Sequence, residues 1–212
     1  MSAGRKVASL SQDWCTPPKY LRAVREVFKG RIELDPCSNS HSVVRAEVEY
    51  RLPKNDGLRC SWHHESIYVN PPYGADRARG TTIKDWLSRC AKAHEEFGAE
   101  VLALVPVATN TKHWKQSVWG IATAVAFLYD TRLKFLVDGR DGGKGAPMSC
   151  AMIYWGSHFR RFEEVFLPFG AVVDIRALHD KAIGVAPGNE PMALFKTLGT
   201  KGHVREGGRR VV

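Results

Sequence analysis

Four consecutive residues carry the strongest chemical signal in the chain: Asn70, Pro71, Pro72 and Tyr73. An exocyclic amine on an aromatic ring, such as that of adenine, is a poor nucleophile because its lone pair is delocalised. Two acceptors set on its two N–H bonds draw it towards tetrahedral geometry. The amide oxygen of Asn70 and the carbonyl of Pro71 form such a pair, and the prolines stiffen the turn while removing donors. Tyr73 adds an aromatic face for a displaced base, worth about 1–3 kcal/mol on single-strand stacking platforms. The task is positioning and electrostatics at a developing charge. A merely rigid strand-to-loop turn is the rival reading. The asparagine before the prolines, the aromatic after them, the apolar Ile67–Val69 leading in and Gly74 leading out favour the chemical one.

A second polar group, Asp35-Pro36, follows the apolar stretch Ile32–Leu34. Ligands of open α/β sheets bind at the carboxyl ends of strands, and both Asp35 and Asn70 fall there. Asp35 is expected to contact a cofactor rather than cap the next segment. Asp56 precedes Gly57 among turn formers, so an Asx-turn and a cofactor contact stand equal. Glu47 and Glu49 have no distinctive context and are read as solvent-exposed. His113-Trp114 is a weaker candidate for lining the pocket. No metal-ligand spacing is visible, and five cysteines without a C-x-x-C read as free thiols.

The elements that must position these groups follow from local pattern. Pro17 and Pro18 open a helix to about Phe28, with Thr16 as its N-cap. A second helix runs from Ile83 to Phe97, and a third around residues 160–166. Strands are expected at 32–34, 67–69, 100–105, 124–129, 149–155 and 171–175. The loop Gly139–Gly145 is too rich in glycine for regular structure. Strands alternating with helices imply an α/β sheet, mostly parallel and flanked by helices. One catalytic domain over residues 13–176 is expected. Residues 177–212 form an extension whose Gly- and Arg-rich end reads as disordered.

The 212 residues suffice for one full core, and 44% hydrophobic with 25% charged residues fits a globular domain. No apolar run could span a bilayer, and residues 1–10 lack a signal-peptide core, so a cytoplasmic protein without a membrane partner is expected. The net charge of +9 suits a nucleic-acid substrate. Arg132, Lys134, Arg140 and Lys144 around the glycine loop read as a phosphate clamp in preference to a plain solvated surface.

From about Asp13 to Ile175 the chain resembles the phage-type DNA N-6-adenine methyltransferases, small enzymes encoded by phages and prophages. The resemblance rests on motifs in order: Asp13-Trp14-Cys15-Thr16-Pro17-Pro18, Leu34-Asp35-Pro36-Cys37-Ser38-Asn39, Asp56-Gly57-Leu58, Trp62 and Asn70-Pro71-Pro72-Tyr73-Gly74. Downstream come Leu104-Val105-Pro106, Thr109 to Trp114, Arg132-Leu133-Lys134-Phe135 and Ala146-Pro147 with Ser149. It implies a Rossmann-like methyltransferase sheet with S-adenosylmethionine at its carboxyl edge. Thr16, Pro17, Asp35 and Pro36 would meet the methionine part of the cofactor. Asp56 would accept from the cofactor's adenine amine, and Asn70 to Tyr73 would hold the target base. Many methyltransferases carry glycines after the first strand; here Ser38 and Asn39 must make that turn. The implied reaction is N6 methylation of adenine in double-stranded DNA at specific sites, without a metal. The rivals are methylation of RNA adenine or of a protein glutamine, and a non-catalytic DNA-binding relic.

Overall fold

The computed structural model describes residues 14–130, 133–137, 139–141 and 148–179. A seven-stranded sheet runs through the middle. Its strands are β2 (Leu34–Asp35), β3 (Val48–Glu49), β4 (Ser66–Val69), β5 (Glu100–Pro106), β6 (Ala124–Leu128), β9 (Cys150–Trp155) and β10 (Gly170–Asp174). Across the sheet the order is β10-β6-β9-β5-β4-β2-β3. A small antiparallel sheet, β1 (Trp14–Cys15), β7 (Leu136–Val137) and β8 (Arg140–Asp141), lies apart from it.

Helices cover both faces, which explains why the central strands are apolar without alternation. Along β5, Leu102 and Leu104 pack with α1 (Pro18–Val27) and α4 (Phe159–Phe166), joined by Tyr68, Met152, Phe162 and Phe166. Val101, Ala103 and Val105 face the other way, onto α2 (Ile83–Phe97) and α3 (Lys112–Trp114), with Trp86, Leu87, Trp114 and Val118. α1 buries Tyr20, Leu21, Ala23, Val24 and Val27, the apolar stripe that its periodicity sets out. α2 starts where the Thr82 N–H donates to Asp85 at 2.8 Å and stops at Gly98, whose φ of 68° suits only a residue without a Cβ penalty.

The expectation of a mostly parallel sheet needs correction. Pairs β2–β3, β2–β4 and β4–β5 are parallel, whereas β5–β9, β6–β9 and β6–β10 are antiparallel. The cause is the connection between β6 and β9. A parallel return needs a crossover, usually a helix, and the described part of this connection is a hairpin, β7–β8. β9 therefore inserts antiparallel between β5 and β6. Thr16 is not the cap of α1 either: Pro17 takes the N-cap position, and the Thr16 hydroxyl bonds Tyr68 Oη on β4 at 2.6 Å.

The strand order reverses at one place that matters for ligands. From β2 the chain steps outward to β3, then returns to lay β4 on the opposite side of β2 and continues to β5. The crevice between the carboxyl ends of β2 and β4 is a topological switch point, where open α/β sheets bind ligands.

Candidate active site

At this crevice Asp35 ends β2 and Asn70 follows β4 directly. They line one pocket with Trp14, Thr16, Cys37, Ser38, Asn39 and Pro72. β1 closes it from the side, because Thr16 is tied to Tyr68 and Trp14 pairs with Val137 of the hairpin.

Asn70 donates its Nδ2 hydrogen to the carbonyl of Trp14 at 2.9 Å. That bond takes one of the two Nδ2 hydrogens and fixes which end of the amide faces Trp14. Among the described residues nothing donates to Oδ1, which is left as an acceptor. Pro71 behind it is buried and Pro72 half-buried, as befits a stiff turn. Tyr73 is half-buried, donates from its hydroxyl to Leu104 O at 3.2 Å, and stands edge-on to Trp14 and Phe135.

Asp35 is 3% exposed and accepts from the Cys37 N–H at 3.1 Å. Burial pushes its carboxyl up to about 7; the Cys37 amide and Arg51 pull it down, and Glu49 adds to the rise. A buried carboxylate without a full counter-charge suits a cationic ligand. Burial also pushes the neighbouring Cys37 thiol well above its ordinary value, against the Asn70 backbone N–H, so this thiol stays protonated and is no nucleophile.

Sequence reasoning discounted Glu49, and the structure corrects this. Glu49 ends β3, beside Asp35 on the adjacent strand, with its side chain 15% exposed. It accepts from the Ser38 hydroxyl at 3.1 Å and pairs with Arg51. Its available signal was Val48 between two acids, a short strand whose end reaches the same edge. Glu47 points to solvent, as expected.

Asp56 forms the Asx-turn, accepting from Leu58 N–H at 3.1 Å, and also meets Arg79 at 3.2 Å. It does not line the pocket with Asn70. Its neighbour Gly57 is pressed against the strand-end turn: a Cβ there would lie 1.7 Å from the Pro36 carbonyl oxygen. The Asp56 loop thus lies on the Asp35-Pro36 turn. Arg79, held by Asp76 at 2.8 Å, links it to the segment after Tyr73. Lys134 and Arg140 are exposed, Arg140 at the hairpin tip beside Gly139, which has a φ of 74°. Arg132 and Lys144 lie outside the described residues. His113 bonds Thr111 and stays out of the pocket lining.

A second groove, about 620 Å³, opens at the amino ends of the same strands. There Glu33 pairs with Arg31, and Glu100 with His158 and Arg161, so its charges satisfy one another. Among the described residues no group of His, Cys, Asp and Glu could hold a metal ion, all five cysteines are free, and no helix is long and apolar enough to cross a membrane.

The switch-point crevice, with an oriented amide oxygen and two carboxylates on adjacent strand ends, is the candidate ligand site of this α/β fold. The family model for DNA N-6-adenine-methyltransferase (Dam) matches residues 5–183, and the chain belongs to that family. Curated proteins and solved structures give no match.

Proposed function

We propose that this protein transfers a methyl group from S-adenosylmethionine to the N6 amine of adenine at specific sites in double-stranded DNA. One observation carries the reading: the Trp14 carbonyl accepts from Asn70 Nδ2 and so orients the amide, leaving Oδ1 to accept at the switch point beside buried Asp35. The donor set fits the cofactor. Asp35 with the Thr16-Pro17 and Pro36 turns would hold its cationic methionine end. Glu49 would accept from ribose hydroxyls, as an acid after the second strand does in dinucleotide folds. Asp56 Oδ2, which meets only exposed Arg59 at 3.6 Å among the described residues, would accept from the adenine amine. When bound, the cofactor supplies an electrophilic methyl on sulfur.

The protein's own work lies in the acceptor. The target base leaves the duplex at a cost of a few kcal/mol. Asn70 Oδ1 and the Pro71 carbonyl accept its two N–H bonds and turn its lone pair outward. The Pro71–Pro72 backbone keeps those acceptors fixed as positive charge develops on nitrogen, and Tyr73 anchors the turn to β5. As the N–C bond forms, the methyl–sulfur bond would break with its electron pair left on sulfur as a neutral thioether, and one N–H proton is released to solvent. Lys134 and Arg140, with Arg132 and Lys144, would hold DNA phosphates. The DNA family assignment and the +9 charge favour DNA over a protein glutamine substrate.

The test is direct. Incubation with labelled S-adenosylmethionine and unmodified duplex DNA should place label on N6-methyladenine after digestion. Label on another base, or none with a cofactor-binding protein, would overturn the reading.

A further inference from the structure

An extruded adenine needs a surface to lie on, and the residues at the pocket single one out. Tyr73 is not among the pocket-lining residues, and its hydroxyl is committed to Leu104 O on β5. Trp14 does line the pocket, together with Asn70 and Asp35. Its indole is half-buried and stacks on Phe135 with centroids 5.2 Å apart and planes 19° from parallel. Tyr73 closes on both rings edge-on, 6.3 Å from Trp14 and 5.9 Å from Phe135. The Trp14 carbonyl is also the group that orients Asn70. Ring and amide therefore belong to one rigid constellation, and the Trp14 indole nitrogen has no hydrogen-bond partner among the described residues.

We infer that Trp14 is the ring on which the extruded adenine stacks, with Phe135 and Tyr73 as its braces; this rests on the functional reading above. A ring already held by two others loses little freedom when a base lies on it, so most of the stacking gain is kept. Trp14 is also one pairing away from the hairpin that carries Arg140. The same small sheet would thus touch the phosphates and receive the base.

Single-turnover transfer to unmodified plasmid DNA tests this in Trp14→Phe and Trp14→Leu. Phe keeps an aromatic face and should stay within about threefold of wild type. Leu fills the same apolar contact with Phe135 but offers no face, and should lose about 10- to 100-fold, the range of base–aromatic stacking. Cofactor affinity by calorimetry should be unchanged in both. Equal rates for Leu and Phe would overturn the proposal, as would a Leu defect matched by an equal loss of cofactor affinity. If Leu lowers the melting temperature, Trp14→Met repeats the comparison with a longer apolar chain. A wild-type protein that binds cofactor yet labels no DNA would remove the functional reading and the proposal together. A Trp14→Leu protein as fast as wild type would remove the proposal alone.

Discussion

Asn70 and Asp35 do different work at the same strand edge. Asn70→Ala removes the amide oxygen left open to accept at the strand end, so transfer should fall by at least roughly 100-fold, the loss seen when one fixed hydrogen-bonding group is removed from a developing charge. Cofactor and DNA affinities should persist, as calorimetry and gel shift would show. Transfer at near wild-type rate would contradict the assigned role. Asp35 makes a pH-dependent case. Its folded value, about 7, lies above the ordinary 3.8. Between those values the folded protein holds a proton that the unfolded chain has released. The stability this group contributes is thus full below about pH 4 and lost as pH rises through 7. A cationic ligand favours the ionised form and should expel that proton. Cofactor affinity should rise between about pH 6 and 8, with proton release measurable by calorimetry in buffers of different ionisation heat. Asp35→Asn should abolish the release and flatten apo stability over the same range. Proton release that survives the substitution would assign it to another group.

At the scale of elements, the long helices and strands were legible because their periodicity is strong: α1, α2, β4 and β5 fall within about a residue of expectation. Of the two-residue strands only β2 was anticipated, through the apolar stretch Ile32–Leu34. β1, β2, β3, β7 and β8 are two residues each, too brief for any alternation to register. Those strands build much of the site, so Glu49 was read as solvent-exposed and Trp14 was given no role of its own, while Asn70 and Asp35, each next to a longer apolar run or a proline, stood out. The direction of β9 was equally hidden, since a strand buried on both faces reads alike either way up. The contact of the Asp56 loop with the Asp35-Pro36 turn is a further case. A side chain at position 57 cannot coexist with the Pro36 carbonyl. Gly57→Ala should lift the loop and weaken cofactor binding by roughly tenfold or more, since a displaced backbone costs about 1–3 kcal/mol. An unchanged affinity would place the cofactor away from this turn.

For the whole molecule, the +9 charge is a prediction about salt. Each phosphate contact contributes about 0.9 to the slope of log affinity against log salt. Replacing exposed Lys134 and Arg140 with Gln should weaken DNA binding and flatten that slope by about two units, with cofactor affinity unchanged. A slope that does not move would put the DNA surface on another face.

The antiparallel entry of β9 also governs how the chain is made. β5 ends at Pro106, but the strand that covers its outer edge along six residue pairs is complete only at Trp155. A ribosome adding about 5–20 residues per second leaves that edge bare for some seconds. During that time the segment Val101–Val105, wholly apolar, is an unpaired template for a neighbouring nascent chain. Chains terminated after Leu128 should therefore collect in the insoluble fraction, whereas chains that reach residue 179 should not. Slowing synthesis between residues 106 and 155 should lower the soluble yield of the full-length protein without altering the activity of what remains.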